Sequence, residues 1–232
     1  MTSKSKNSLK TYEIIIFDSD GVILNSNKIK ENAFIQLAEE YRMRFSKFEI
    51  INLIRKNKGK SRYEIVKRLL EKTKNKELIN ENVYSKLLIR YSSIVKEKLK
   101  SCECSKKIKF LRINNNSSWL VLTAGDQQET IEIYKEKSIY QLFDLGIYGA
   151  PNLKNKNLIE INKSYEGFLK KKILYIGDSI KDFELARENN FDFVLIKDWS
   201  TCKKIKNIID IVENYSSLDE FISYKLGISS YM

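Results

Sequence analysis

Three short apolar runs, residues 12–17, 119–122 and 173–176, each stop at a residue able to handle phosphate or a metal: Asp18, Thr123 and the pair Gly177-Asp178. Runs this short and this rich in β-branched and aromatic residues read as strands buried on both faces, the kind found in parallel sheets. Open α/β sheets place their ligands outside the carboxyl ends of the strands. Three distant segments are therefore expected to converge on one crevice. That crevice would hold the carboxylates of Asp18, Asp20, Asp178 and Asp182 with the Thr123 hydroxyl. An all-oxygen donor set suits Mg²⁺ rather than zinc, and the combination is equipment for phosphoryl transfer around a divalent cation.

The pattern between the first two runs is different. Ile29, Ala33, Leu37 and Tyr41 recur at i+4, the spacing of one helix face. Ile50, Leu53 and Ile54 mark a second helix, Ile65, Val66, Leu69 and Leu70 a third with Ser61 as its candidate cap, and Val83, Leu87, Ile94 and Val95 a fourth. No strand is expected between residues 27 and 100. Alternation then resumes, with strands near 119–122, 145–148, 173–176 and 191–196 and helices near 127–137, 153–168 and 181–189. Ser217 to Glu220 reads as a capping box opening a last helix. The expected architecture is an α/β, Rossmann-like parallel-sheet core from residues 1–26 and 101–232, interrupted by an all-helical insert over 27–100.

Composition narrows the partners. The 42 Lys and Arg against 30 Asp and Glu give a formal charge of +12, a field that attracts anions. The lysines are dispersed rather than arranged in a stripe interleaved with stacking aromatics, which argues against nucleic acid and leaves a phosphate-bearing small molecule. Cys102, Cys104 and Cys202 are an odd set in a chain without histidine, so neither a disulfide framework nor a zinc site is expected. Residues 1–10 are polar and basic without an apolar stretch, and no run reaches bilayer-spanning length, so a cytoplasmic location is expected.

Taken together, Phe17-Asp18-Ser19-Asp20-Gly21-Val22-Ile23, Leu122-Thr123, Lys154 and Ile176-Gly177-Asp178-Ser179 with Asp182 resemble, in order, the four motifs of the haloacid dehalogenase superfamily of phosphohydrolases. The first and fourth are highly specific, and the second and third gain weight from position. The resemblance implies that Asp18 is a nucleophile forming an aspartyl-phosphate and that Asp20 serves as acid and then base. It also implies that Mg²⁺ lies between Asp18, the main-chain carbonyl of Asp20 and Asp178, with Asp182 supporting its shell, while Thr123 and Lys154 hold phosphoryl oxygens. Lys156 is the alternative third-motif lysine; Lys154 is preferred because it lies three residues after Pro151, as in similar sequences. Thr123 is followed by Ala124-Gly125 where relatives often carry Asn or Ser, and Asn190 stands where they frequently have Gly.

The helical insert resembles the C1 cap of this superfamily, a lid that chooses the leaving group. Its residues 59–63 form a candidate substrate-facing turn with Lys60 and Arg62 as specificity residues. An acid at Asp20 argues for phosphate ester cleavage, and the lack of a cap histidine argues against a mutase of the β-phosphoglucomutase type. The stretch 59–66 resembles capped phosphatases found with enzymes of surface (capsule) polysaccharide assembly. The expected substrate is a small phosphomonoester: a phosphorylated sugar, a nucleotide-sugar conjugate or a phospho-alcohol, with phosphoglycolate-like metabolites next. The competing expectation from another class is a non-catalytic basic scaffold that binds anions.

Overall fold

β1 (Ile14–Phe17) lies at the centre of a six-stranded sheet of order β3-β2-β1-β4-β5-β6. Its neighbours are β2 (Ser118–Asp126) and β4 (Ile173–Gly177); β3 (Ile147–Ala150), β5 (Asp192–Ile196) and β6 (Glu213–Tyr215) extend the two wings. Every pairing is parallel. The chain builds outward from β1 to β3 on one side, then returns to start the other wing at β4. The strand order therefore reverses between β1 and β4, and this is where an open α/β sheet forms its ligand crevice. The structure is a computed structural model that describes residues 9–73, 75, 78 and 81–228.

Each face of the sheet is a separate consequence of the two-residue pleat. Ile15, Phe17, Trp119, Val121, Leu174 and Ile176 project to one face, where α5 (Ile108–Ile113), α6 (Gln127–Glu136) and α9 (Leu218–Leu226) cover them. Ile14, Ile16, Leu120, Leu122, Ile173 and Tyr175 project to the other, beneath α7 (Lys154–Ser164) and α8 (Ile180–Glu188). The strands are apolar on both faces because both faces are covered, which is why they lack alternation in the sequence.

Between β1 and α5, the helices α1 (Asn27–Glu40), α2 (Lys47–Lys56), α3 (Arg62–Lys72) and α4 (Glu81–Lys100) follow one another, with no strand among the described residues of that stretch. They bury their apolar stripes against each other; Phe34 of α1 stacks on Tyr91 of α4 with ring centroids 4.1 Å apart. Ser61 occupies the N-cap position of α3, but its hydroxyl makes no cap bond. Ser46, by contrast, forms a full capping box with Glu49 at the start of α2. At α9, Ser217 accepts from the Glu220 N–H, while the Glu220 carboxylate reaches back to Ser216 N–H rather than to Ser217.

The expected boundaries shift by a few residues. β2 runs four residues past Leu122, with a register irregularity against β3 between Leu122 and Asp126. α7 ends at Ser164 rather than near 168, and α5 and β6 have no counterpart in the expected elements. Asn190 takes φ +58 after α8, the left-handed turn expected of it. All three cysteines are free thiols, and no helix among the described residues is long and apolar enough to cross a membrane.

Phe17 links the strands to the aromatic cluster on the first face, with ring centroids 4.9 Å from Trp119 and 5.9 Å from Phe143. It has no exposed surface. Phe17→Ala should cost ~3–5 kcal/mol in equilibrium denaturant unfolding. A loss under ~1 kcal/mol would mean that this cluster does not anchor the centre of the sheet.

Candidate active site

Two strand ends meet here because β1 and β4 pair in register, Phe17 opposite Ile176. The Asp18 N–H donates to Ile176 O at 2.9 Å, so the first carboxylate leaves the sheet alongside the end of β4. The chain then folds tightly over itself: Ile23 and Leu24 both donate to Ser19 O at 3.0 Å. Gly21 makes this turn with φ +86, and a Cβ there would overlap the Asn27 amide and the Asp178 carboxylate. A left-handed conformation without room for a side chain leaves glycine as the residue that fits.

At the end of β4 the fourth segment turns directly into α8. Ser179 is the N-cap, and its hydroxyl and backbone N–H bind Asp182 Oδ2 at 2.6 and 3.1 Å in a capping box. The other Asp182 oxygen accepts from Lys154 Nζ at 2.7 Å and from Tyr175 OH at 3.1 Å. Asp182 therefore caps a helix and anchors a lysine at once. Asp178 is differently placed. Its Oδ2 accepts from Asn27 Nδ2 at 2.8 Å and faces Lys58 Nζ at 3.2 Å, while its Oδ1 is buried without a hydrogen-bond partner.

Asp18, Asp178 and Asp182 each present one oxygen such that all three lie within 4.8 Å of one another. Burial pushes Asp18 up to about 7, helped by the neighbouring acids and opposed by Lys154. Burial likewise raises Asp178, with Lys58 opposing and Asp182 adding to the rise. For Asp182, burial acts in the same direction, but Lys154 and Ser179 outweigh it and hold the carboxyl below its ordinary range. A buried cluster with more carboxylate than the local ammonium groups comfortably balance, together with one orphaned oxygen, fits a hard divalent cation. The donors are all oxygen, which matches Mg²⁺.

Asp20 stands apart from that trio. Its Oδ2 accepts from Lys30 Nζ at 2.7 Å and its Oδ1 from Ser26 Oγ at 2.5 Å. Burial favours the neutral acid, but Lys30, Ser26 and the more distant Lys58 more than offset it, so the Asp20 carboxyl titrates below its ordinary range. Thr123 is buried at the irregular part of β2 and accepts the Gly125 N–H at 3.0 Å. Lys154 opens α7 and reaches Asp18 Oδ1 at 3.1 Å as well as Asp182; Lys156 is exposed on the same helix. Of the two lysines, the structure brings Lys154 to the carboxylates.

The family model for haloacid dehalogenase-like hydrolases matches residues 15–196, which spans β1 to β5 and all four motif positions. The chain belongs to this family. Among solved structures it is similar to a haloacid dehalogenase-like hydrolase from Streptococcus pneumoniae, at 19% identity and TM-score 0.67 over 92% of this chain and 98% of that one. A predicted phosphoglycolate phosphatase from Haemophilus somnus matches at 15% identity and TM-score 0.73, covering 92% and 97%. A β-phosphoglucomutase from Clostridium difficile matches at 19% identity and TM-score 0.70, covering 93% and 97%. At these identities the likeness is one of fold. No curated protein gives a significant match.

In this haloacid dehalogenase-like hydrolase the helical insert faces the carboxylates across a cavity of about 100 Å³. The 57–60 loop, Lys30, Phe34 and Tyr91 line it from the insert, and Thr123, Gly125 and Lys154 from the core. Both expected specificity residues reach it, but on different terms. Lys60 is exposed and pairs with Glu64 at 2.7 Å. Arg62 is buried, donates to Ser92 Oγ at 2.7 Å, pairs with Glu129 at 2.5 Å and lies 5.1 Å over the Tyr91 ring, so its charge is already matched across the cavity wall.

Sequence reasoning missed Lys30, Lys58, Asn27 and Tyr175. The contact of Lys30 with Asp20 depends on how the turn after β1 enters the first helix, and that of Lys58 is with a residue 120 positions away, so neither has a local signature. Addition of Mg²⁺ should raise the thermal unfolding temperature of the wild-type protein, because an ion held by the folded carboxylate cluster stabilises the folded state. Asp178→Asn should abolish that rise; an equal rise in the variant would remove Asp178 from the cation site.

Proposed function

We propose that the chain is a Mg²⁺-dependent phosphatase that hydrolyses a small phosphomonoester through a phosphorylated Asp18. The observation that carries this reading is the set of three buried carboxylates, one with an orphaned oxygen, beside a lysine and a hydroxyl at one strand-end crevice. Asp18, Asp178 and the main-chain carbonyl of Asp20 would hold the ion, with Asp182 fixing Lys154 and the start of α8. Bound there, Mg²⁺ supplies Lewis-acid neutralisation of phosphoryl oxygens, which otherwise repel an attacking carboxylate.

The rest of the chemistry belongs to the chain. A free Asp18 oxygen forms the bond to phosphorus as the ester P–O bond breaks. Lys154 and the Thr123 hydroxyl stabilise the charge spread over the equatorial oxygens. The leaving oxygen takes a proton from Asp20, and Asp20 then removes one from the water that attacks the phosphorylated Asp18, returning the enzyme to its starting state and releasing phosphate. For that work Asp20 must leave its pairing with Lys30 and take up a proton, since that pairing favours the ionised carboxyl. The helical insert excludes water from the cavity and bounds the leaving group.

Size bears on the substrate. The cavity is partly open to solvent and offers about 100 Å³, far below the ~300–1,000 Å³ of pockets that take drug-sized ligands. This favours a phospho-alcohol, a phosphoglycolate-like acid or a simple sugar phosphate over a nucleotide-sugar conjugate, whether or not the pathway serves surface polysaccharides. A mutase would need to hold a second phosphate in the same space, and no histidine is present to time proton transfer.

Phosphate release from p-nitrophenyl phosphate should require Mg²⁺ and disappear on chelation. Asp18→Asn should lower turnover by at least ~10³-fold with the fold retained, because the attacking charge is lost. Activity within tenfold of wild type in that variant would overturn the assignment. Lys154→Ala should impair kcat far more than Lys156→Ala; the reverse order would move the third motif. A purified protein inert with Mg²⁺ across a broad panel of phosphate esters would favour the anion-binding scaffold instead.

A further inference from the structure

Lys58 crosses from the helical insert to the carboxylate cluster. It lies in the loop after α2, and Gly59 beside it adopts φ +88 with its α-carbon pressed to the core: a Cβ there would stand 3.1 Å from Cβ and Cγ of Lys181 in the first turn of α8. The close approach delivers the Lys58 ammonium to Asp178 Oδ2 at 3.2 Å and to Asn27 Oδ1 at 2.5 Å. The side chain is 17% exposed, while the Asp178 side chain it faces is fully buried. Its charge is raised in affinity for its proton by Asp178, Asp18 and Asp20 together, against the effect of burial.

The charge inventory of the site gives this contact its meaning. With every carboxyl ionised, as ligation of a cation demands, the four carboxylates Asp18, Asp20, Asp178 and Asp182 face three ammonium groups, Lys30, Lys58 and Lys154, which leaves one net negative charge. Removing Lys58 makes it two. A divalent cation and a phosphate dianion respond to that difference with opposite signs, and at low effective dielectric the response is large.

We propose that Lys58 is a counter-cation supplied by the insert that weakens divalent-cation binding at the Asp18–Asp178–Asp182 cluster and strengthens binding of the phosphate dianion. The inference rests on the metal-dependent reading above and goes beyond it. Docking of the 57–60 loop then favours phosphate in the loaded site, whereas withdrawal of the loop favours uptake of the ion. By linkage, the ion disfavours the Lys58–Asp178 contact to the same extent that the contact disfavours the ion.

Lys58→Met, Lys58→Gln and Lys58→Arg test this by isothermal titration of the full-length protein, first with MgCl₂ in phosphate-free buffer and then with inorganic phosphate at saturating Mg²⁺. The two neutral variants should bind Mg²⁺ about tenfold more tightly and phosphate about tenfold more weakly than wild type, while Lys58→Arg stays within about threefold on both. Using two neutral variants guards against a folding defect in either, monitored by circular dichroism. Loss of affinity for both ligands, or no change in either, would overturn the proposal, because a purely structural lysine cannot tighten one ligand while loosening the other. Wild-type protein that binds no Mg²⁺ would overturn the metal-dependent reading itself; wild-type binding without tightening in the variants would overturn this inference alone.

Discussion

Repulsion among buried carboxylates is the constraint around which this site is built. The in-register pairing of β1 and β4 places the Asp18 and Asp178 backbones at adjacent strand ends, and α8 returns Asp182 to the same point through its capping box. Carboxylates this close and this buried cannot all remain charged without compensation. Lys154 enters from α7 on one side, Lys58 from the insert on another, and Asn27 donates to Asp178 from the first turn of α1. The fold therefore spends three separate elements on balancing charges that a plain structural core would never bring together.

That need explains why core and insert are tied at several points rather than one. Lys30 reaches from α1 to Asp20, Arg62 from α3 to Glu129, Tyr63 to Asp126 at 2.7 Å, and Lys96 from α4 to Glu132 at 2.7 Å. The last of these is exposed and contributes little on its own. The buried Arg62–Glu129 contact is of another kind, since breaking it leaves an uncompensated charge beside the cavity. The insert closes on the core with charged side chains on both surfaces, and part of that charge faces the place a substrate would occupy.

The sheet was legible because its strands are buried on both faces and read as continuous apolar runs, and because Asp18, Thr123 and the pair Gly177-Asp178 stand at the ends of three of them. β6 was not: three residues, Glu213-Asn214-Tyr215, at a sheet edge carry no apolar signal. The six residues of α5 are too few for a helical period to emerge. Within the site, the acids were readable from order and strand-end placement, and Lys154 from the family resemblance. Lys58 and Tyr175 were not, since their roles come from contacts across the fold; Tyr175 is an inward-facing strand residue whose hydroxyl finds Asp182 only once α8 is folded back. Arg62, a specificity residue by expectation, lines the cavity, and its contact with Glu129, 67 residues away, has no local signature in the sequence.

The covalent state of Asp18 during turnover is the most direct test of the proposed chemistry. Rapid mixing of the protein and Mg²⁺ with acetyl phosphate, an acid quench and peptide mass mapping would reveal it, because an acyl phosphate survives in acid long enough to be located. The peptide containing residues 12–23 should gain the mass of one phosphoryl group at Asp18, and should lose it when the reaction is allowed to run to completion. Hydrolysis that proceeds with no phosphorylated Asp18 at any time, or with the group on another side chain, would contradict the central claim.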